Sequence, residues 1–92
     1  MIRVKIYATL RPIVGSAVVP STIQAGDNVQ ILVDELVTRW PELRPEMLDE
    51  NDKLLQRIHI FINGRSIRYL DQLETIIPDG TEVDIFPPVG GG

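Results

Sequence analysis

Cysteine is absent from this 92-residue chain, and histidine occurs only once, as His59. The lack of cysteine excludes disulfides, thiolate metal sites, cysteine nucleophiles and side-chain persulfides. One histidine cannot build a metal cluster, and no glycine-rich loop stands ahead of a helix to bind phosphate. We therefore expect no metal site and no bound cofactor, and we interpret His59 as an ordinary surface residue.

Basic residues are scarce relative to acidic ones. The chain has 9 Lys and Arg against 13 Asp and Glu, a formal net charge of −4 at pH 7. Nucleic acids and anionic membranes attract proteins through basic patches, so this balance argues against both as main partners. No apolar run approaches the roughly 20 residues of a membrane span, and residues 1–10 lack the apolar block of a signal peptide. These features predict a cytoplasmic protein with one domain.

Hydrophobic periodicity predicts a small α+β fold. Strand patterns occur at residues 2–8, 18–24, 58–62, 65–69 and 82–86. The first two would form a hairpin, and Asn63-Gly64 suits the two positive-φ positions of a type I′ turn. The first and last strands could lie side by side in the centre of a mixed sheet.

The strongest pattern in the sequence is a helix after Gly26. Apolar residues with helical spacing form one stripe: Val29, Leu32, Val33, Leu36, Val37 and Trp40. Asp27 is the predicted N-cap, in a capping box with Gln30, and Pro41 ends the helix. Trp40 closes the stripe, so we expect it to be largely buried against the sheet. Residues 42–56 are predicted to be a solvated connection with one helical turn near residues 46–48.

Strand parity predicts an aromatic surface on the sheet. If the apolar residues of each strand face the helix, the opposite face carries Tyr7, Phe61 and Phe86 amid charged neighbours. Three aromatic side chains with a polar rim are typical of a protein-binding patch. Cross-strand aromatic pairing that only stiffens a small sheet is the alternative, and we favour binding.

The end of the sequence does not have the pattern of a packed element. It reads Pro87-Pro88-Val89-Gly90-Gly91-Gly92, so we divide the chain into a domain of residues 1–86 and a flexible tail of residues 87–92. Prolines hold the backbone extended, and glycines without Cβ could thread a narrow channel toward another protein's active site. Fully extended, six residues reach about 20 Å. A frayed glycine-rich terminus is the alternative interpretation.

Both ends of the chain resemble the MoaD/ThiS sulfur carriers, which are bacterial and archaeal relatives of ubiquitin. Residues 84–92 are similar to the family terminus, which has an aromatic residue, prolines, Val, a small residue and Gly-Gly. Residues 2–11 resemble the first strand and turn of MoaD, and the resemblance extends over the whole chain. It implies the ubiquitin-like β-grasp fold, a mixed sheet on one main helix with an extended Gly-Gly tail.

The same resemblance implies a carrier protein rather than an enzyme, or the small subunit of a synthase complex. An E1-like enzyme that uses ATP and Mg²⁺ would adenylate the carboxylate of Gly92, and a sulfur donor would convert it into a thiocarboxylate. The preceding tail residues would thread the partner's active site: Pro87, Pro88, Val89, Gly90 and Gly91. Tyr7 and Phe86 match the aromatic family positions that dock on the activating enzyme, and Arg11 matches a basic position near that contact. Phe61 is added from strand parity alone.

Two departures leave the pathway open. Gly90 stands where close MoaD relatives usually have Ala, and the chain is longer between Trp40 and Arg57, as in the carriers that supply sulfur for cysteine synthesis. The sulfur-accepting partner would be a molybdopterin synthase large subunit or a cysteine synthase homologue, with thiamin thiazole synthesis a weaker option. The alternative function is a ubiquitin-like modifier conjugated through Gly92 to target lysines. A third interpretation is an adaptor domain whose glycine tail is incidental.

Overall fold

The computed structural model of the protein describes residues 1–87. A five-stranded mixed sheet has the strand order β2-β1-β5-β3-β4. The strands are β1 (Arg3–Ile6), β2 (Val18–Val19), β3 (His59–Ile62), β4 (Arg65–Ser66) and β5 (Glu82–Phe86). The α-helices are α1 (Arg11–Val14), α2 (Val29–Arg39) and α3 (Arg44–Met47). Turns of 3₁₀ helix occur at Ala8–Leu10, Pro41–Leu43, Ile67–Tyr69 and Gln72–Glu74.

The first and last strands lie side by side in the middle of the sheet, as predicted. β1 runs parallel to β5, with Val4 opposite Val83, and β5 runs antiparallel to β3, with Ile85 opposite Ile60. β1 and β2 form the predicted hairpin. Asn63 and Gly64 both have positive φ values of 50° and 82°, as the type I′ turn between β3 and β4 requires.

The helix α2 covers one face of this sheet. Five residues of its apolar stripe are buried: Val29, Leu32, Val33, Leu36 and Val37. They share one core with the inward-facing residues of the central strands, among them Ile6, Ile60 and Ile85. Each fully buried aliphatic side chain of this kind contributes roughly 1.5–3 kcal/mol. Within residues 1–87, no helix is long and apolar enough to span a membrane.

The N-cap of α2 is Asn28, so the predicted cap at Asp27 and the predicted capping box are wrong. The Asn28 Oδ1 atom accepts a hydrogen bond from the Ile31 N–H at 2.9 Å. The carboxylate of Asp27 instead accepts from the Gln24 N–H at 2.9 Å, within the preceding turn. Gln30 donates along the helix to Asp34. Adjacent Asp and Asn side chains are equally good caps, so residue type could not choose between them.

The variant Asn28→Ala is expected to lower the free energy of unfolding by about 1 kcal/mol, because the Ile31 N–H loses its acceptor. Asn28→Asp keeps an acceptor oxygen and should stay near the wild-type value. Gln30→Ala is the control for the discarded capping box, and its cost should be only a few tenths of a kcal/mol. Urea denaturation of the three variants measures these differences. A larger loss for Gln30→Ala than for Asn28→Ala would contradict the observed cap.

Trp40 is partly buried and packs against the core, so its predicted burial is confirmed in part. The helix ends at Arg39, and Trp40 already has non-helical φ and ψ values of −126° and 84°. Pro41 disfavours helical geometry at the residue before it, which fits the end of the helix at Arg39. The ring packs partly against the core on one side, and the Arg39 guanidinium lies 4.6 Å from its centroid.

Residues 42–56 contribute to the core and are not simply a solvated connection. Leu43 and Met47 are fully buried, and α3 begins at Arg44 rather than near residue 46. The spacing of four residues places both apolar side chains on one side of a helical turn. The polar residues face outward, where Arg44 forms an ion pair with Asp52.

The second strand is shorter than predicted and ends at Val19. Pro20 has no N–H to donate, so the sheet ladder stops there. The next residues turn toward α2, where the Ser21 hydroxyl and the Thr22 N–H donate to Glu35 at 2.5 and 2.8 Å. Partial burial alone would raise the pKa of Glu35, but these hydrogen bonds outweigh it and hold the pKa below 4.5. The predicted strand at residues 65–69 is likewise reduced to Arg65–Ser66.

Candidate partner-binding site

Three aromatic side chains form a contiguous cluster on the sheet face that α2 does not cover. The rings of Tyr7 and Phe86 are stacked, with centroids 4.2 Å apart and planes 10° apart. The ring of Phe61 meets Phe86 edge-on, with centroids 5.6 Å apart. Strand parity therefore predicted the positions correctly, and the structure brings all three side chains together. We call Tyr7, Phe61 and Phe86 the aromatic patch; each is half-buried, and Phe86 is at its centre.

Arg11 lies at the rim of the aromatic patch. It is the first residue of α1, and its Nε donates to the Ile6 carbonyl oxygen at 2.9 Å. Its guanidinium carbon lies 5.0 Å from the centroid of the Tyr7 ring, within the range of a cation–π contact. These two contacts hold an exposed positive charge beside the patch. The sequence-predicted set of Tyr7, Arg11, Phe61 and Phe86 thus occupies one surface.

Two polar contacts of β5, one with Lys5 of β1 and one with Tyr7 just after β1, border the patch and were not predicted from the sequence. The Tyr7 hydroxyl donates to Asp84 at 2.8 Å, and Lys5 Nζ lies 2.6 Å from a Glu82 oxygen. The hydrogen bond between Lys5 and Glu82 raises the pKa of Lys5 and lowers the pKa of Glu82. The alternation of basic or phenolic residues on β1 with acidic residues on β5 was a usable signal for both contacts. Their effect is to fix the side chains that frame the stacked rings.

The contact with Asp84 predicts an alkaline shift in the titration of Tyr7. The hydrogen bond, assisted by partial burial and by the Asp84 charge, raises the Tyr7 pKa above its ordinary value of 10.0. Because the folded-state pKa is the higher one, this contribution to stability is complete below pH 10 and is lost as pH rises through the folded pKa. The chain has two tyrosines, Tyr7 and Tyr69, so the variant Tyr69→Phe contains Tyr7 alone. Its tyrosinate absorbance should then rise with a midpoint above 10.

The control for this titration is Asp84→Ala in the same Tyr69→Phe background. Removing the acceptor should move the midpoint back toward 10.0, while circular dichroism reports whether the chain remains folded. An unchanged midpoint would contradict the assignment of the shift to Asp84.

His59 is exposed and lies opposite Phe86 in the pairing of β3 with β5. It is the surface residue that the sequence predicted. Within residues 1–87, no three side chains of the His, Cys, Asp and Glu types are placed to hold a metal ion.

The tail begins directly beside the patch. Phe86 is the last residue of β5, and Pro87, the first residue assigned to the tail, is buried. The remaining tail predictions, for Pro88, Val89, Gly90, Gly91 and Gly92, lie outside the described residues. The tail therefore starts directly after Phe86, the central residue of the aromatic patch.

Known structures with a similar fold define the class of this protein. The crystal structure of small archaeal modifier protein 1 from Haloferax volcanii superposes with a TM-score of 0.84 at 27% identity, covering 99% of this chain and 98% of that one. CysO in the Amycolatopsis orientalis BexX/CysO complex gives a TM-score of 0.81 at 27% identity, with full coverage of both chains. The protein therefore has the ubiquitin-like β-grasp fold, which confirms the predicted fold class.

The sequence comparison identifies the family. The pattern of the ThiS family matches residues 4–92, and the chain belongs to that family. Its members are small carrier proteins rather than enzymes, and this confirms the resemblance and the carrier class predicted from the two ends of the sequence.

Individual relatives include both sulfur carriers and protein modifiers. The sulfur carrier protein CysO of Mycobacterium tuberculosis is 29% identical over 93 residues, covering 99% of this chain and 98% of the relative. Small archaeal modifier protein 3 of H. volcanii is 25% identical over 91 residues, with coverage of 99% and 98%. The molybdopterin synthase sulfur carrier subunit of M. tuberculosis is 33% identical over 70 residues, covering 76% of this chain and 70% of the relative.

Proposed function

We propose that this protein carries sulfur as a thiocarboxylate on Gly92, after an E1-like enzyme has adenylated the carboxylate. The observation that carries the proposal is the position of Phe86. It is the centre of the aromatic patch and also the last strand residue before the tail, so one surface both binds a partner and directs the tail. Family membership supports the carrier role, since the ThiS pattern extends to residue 92.

The proposed activation makes a poor electrophile reactive. The Gly92 carboxylate attacks the α-phosphorus of ATP, with Mg²⁺ held by the partner, and pyrophosphate leaves. A sulfur donor then attacks the acyl carbon, the bond to AMP breaks, and the thiocarboxylate remains. No cysteine occurs in the chain, so no side-chain thiol of the carrier can intercept the acyl adenylate.

The patch has the composition of a docking centre. Aromatic side chains and arginine are the residue types that most often dominate binding energy at interfaces. Here the three rings are flanked by Arg11 on one side and by the Lys5–Glu82 ion pair on another. From Phe86, six residues extend at most about 20 Å, so a partner that holds the patch receives Gly92 within a defined radius.

We propose that the sulfur acceptor is a cysteine synthase homologue rather than the large subunit of molybdopterin synthase. The CysO relative matches almost the whole chain, whereas the molybdopterin synthase carrier covers 76% of it. The fold match extends to the full length of CysO in its complex with BexX. The segment between Trp40 and Arg57, which the sequence shares with the cysteine-synthesis carriers, supplies the buried residues Leu43 and Met47.

Intact-mass measurement tests the carrier function. The protein is incubated with its E1-like enzyme, ATP, Mg²⁺ and sulfide, and the expected product is heavier by the difference between sulfur and oxygen. A reaction without sulfide is the control and should show ATP–pyrophosphate exchange but no monomer heavier by that difference. The thiocarboxylate is then offered to each acceptor enzyme, and we expect loss of sulfur only to the cysteine synthase homologue. Exchange without any thiocarboxylate in the complete mixture would refute the carrier function.

A second candidate function is protein modification through Gly92. The near-complete coverage of small archaeal modifier protein 3 and the TM-score of 0.84 with modifier protein 1 favour it. The two functions diverge only after adenylation, when either a sulfur donor or a lysine amine attacks the same acyl carbon. Conjugates of higher mass that resist denaturation, with Gly92 in isopeptide linkage, would distinguish the modifier from a carrier alone.

A further inference from the structure

We infer that Lys53 is the acceptor through which one copy of this protein becomes joined to the Gly92 of another. The inference rests on the proposed adenylation of Gly92 and concerns what the activated carboxyl attacks when no sulfur donor is present. The chain has only two lysines, Lys5 and Lys53, and their surroundings differ in three respects.

The first difference is the state of the amine. Lys5 Nζ lies 2.6 Å from Glu82, and its side chain is only 31% exposed. The hydrogen bond to Glu82 stabilises the ammonium form and raises the Lys5 pKa, so less of the neutral, nucleophilic amine is present. Within residues 1–87, the side chain of Lys53 has no ion-pair partner, and the residue is exposed.

The second difference is how the neighbouring residues are arranged. Asp52, next in sequence to Lys53, is already bound by the Arg44 guanidinium. The Lys53 backbone is anchored to Asp49, because its N–H donates to the Asp49 carboxylate at 3.0 Å and its carbonyl accepts from the Asp49 N–H at 2.8 Å. The loop thus fixes the backbone of Lys53 while leaving its amine available.

The third difference is the face of the molecule. Lys5 projects from β1 beside the aromatic patch, so a partner docked there covers it. Lys53 instead lines a groove of about 620 Å³ together with Gln30 of α2, on the helix side of the sheet. Docking through the patch therefore leaves Lys53 uncovered.

The same groove suits an incoming glycine-rich tail. Its lining includes Gln30, Gln56 and Gln72, and the partly buried Leu55 and Leu73 contribute apolar surface. Side-chain amides can donate to and accept from an extended backbone, and glycine presents that backbone without a Cβ. The groove thus offers the tail of a second copy a place to lie beside the Lys53 amine.

The covalent step balances without any further reactant. The neutral Lys53 amine attacks the acyl carbon of the Gly92 adenylate of a second copy. A C–N bond forms, the bond between that carbon and the AMP oxygen breaks, AMP leaves, and the proton of the former amine passes to solvent. The product is an isopeptide-linked dimer.

The test compares Lys53→Arg with Lys5→Arg, both of which keep the positive charge. Each full-length protein is incubated with the activating enzyme, ATP and Mg²⁺ but no sulfide, and the linked dimer is quantified relative to ATP–pyrophosphate exchange. We expect Lys53→Arg to show ATP–pyrophosphate exchange at the wild-type rate but no linked dimer. Lys5→Arg should keep the wild-type ratio of dimer to exchange. Fragmentation of the wild-type dimer should place the Gly92 linkage on Lys53.

Other outcomes have defined meanings. Normal exchange by the wild type without any dimer, or a linkage on Lys5 or on the Met1 amine, would overturn the assignment to Lys53 and leave the carrier function standing. Absence of exchange would instead refute the proposed function and, with it, this inference. Limiting acetylation of the protein alone gives an independent measurement, in which Lys53 should react before Lys5, and equal reactivity would also overturn the assignment.

Discussion

A chain that lacks Gly91 and Gly92 is expected to fold normally and to show no ATP–pyrophosphate exchange with its activating enzyme. The hydrophobic core is built from residues between Val4 and Ile85, so the truncation removes none of its members. It does move the terminal carboxylate back by two residues, or roughly 7 Å of extended chain. Because misplacement by 1 Å can cost a reaction about 100-fold, this displacement should abolish adenylation.

A variant of unchanged length shows whether the position of the carboxylate or the small size of glycine is what activation requires. Replacing Gly91 and Gly92 together by alanine keeps the carboxylate at its distance but adds two Cβ atoms, which a narrow channel would reject. We therefore expect loss of exchange in this variant too, whereas Gly90→Ala, which restores the residue usual in close MoaD relatives, should remain active. Thermal melts of all variants should coincide with the wild type. Wild-type exchange by the truncated chain would refute activation at Gly92.

The aromatic patch could be predicted because a strand has a period of two residues. In β1, β3 and β5 the inward positions are aliphatic, so the parity of Tyr7, Phe61 and Phe86 was unambiguous once the strands were recognised. The contact of each ring with its neighbour additionally required the strand order. The sequence predicted that the first and last strands are adjacent, which the pairing of β1 with β5 confirms, but it did not predict the pairing of β3 with β5.

The polar contacts around the patch depend on details that periodicity does not contain. Tyr7 reaches Asp84 diagonally across two parallel strands, and this choice depends on register as well as on parity. The cap at Asn28 was missed because two neighbouring residues had equal propensity, and only the backbone at the helix start distinguishes them. Trp40 is less fully buried than a continued helix stripe predicts, because the helix already ends at Arg39.

The carrier function was inferred from different features of the sequence than the fold was. No side chain in residues 1–87 indicates adenylation, since the group proposed to react is a carboxylate that any chain terminus provides. The glycine tail had a structural alternative, and the resemblance of both ends to known carriers favoured function. The structure adds what the resemblance lacked, namely that Phe86 is in direct contact with both other rings of the patch while bordering the tail.

The variant Phe86→Ala is expected to weaken docking on the activating enzyme more than it weakens folding. Phe86 is half-buried and points away from the core, where Ile85 and Val83 remain fully buried after the change. Loss of two ring contacts should lower the free energy of unfolding by about 1–3 kcal/mol. Loss of the central aromatic of an interface should cost 2 kcal/mol or more in binding, which is roughly a 30-fold or greater increase in Kd.

Tyr69→Ala is the matched control for Phe86→Ala, because Tyr69 is an aromatic residue that is 87% exposed and lies outside the patch. It should change neither the affinity for the activating enzyme nor the unfolding midpoint. Titration calorimetry and denaturant unfolding on the same preparations give both quantities for each variant. If Phe86→Ala kept wild-type affinity and lost several kcal/mol of stability, the stacked rings would serve only to stiffen the sheet. If affinity falls while the variant remains folded at the assay temperature, the rings contact the partner, because stiffening alone would leave the affinity of the folded molecules unchanged.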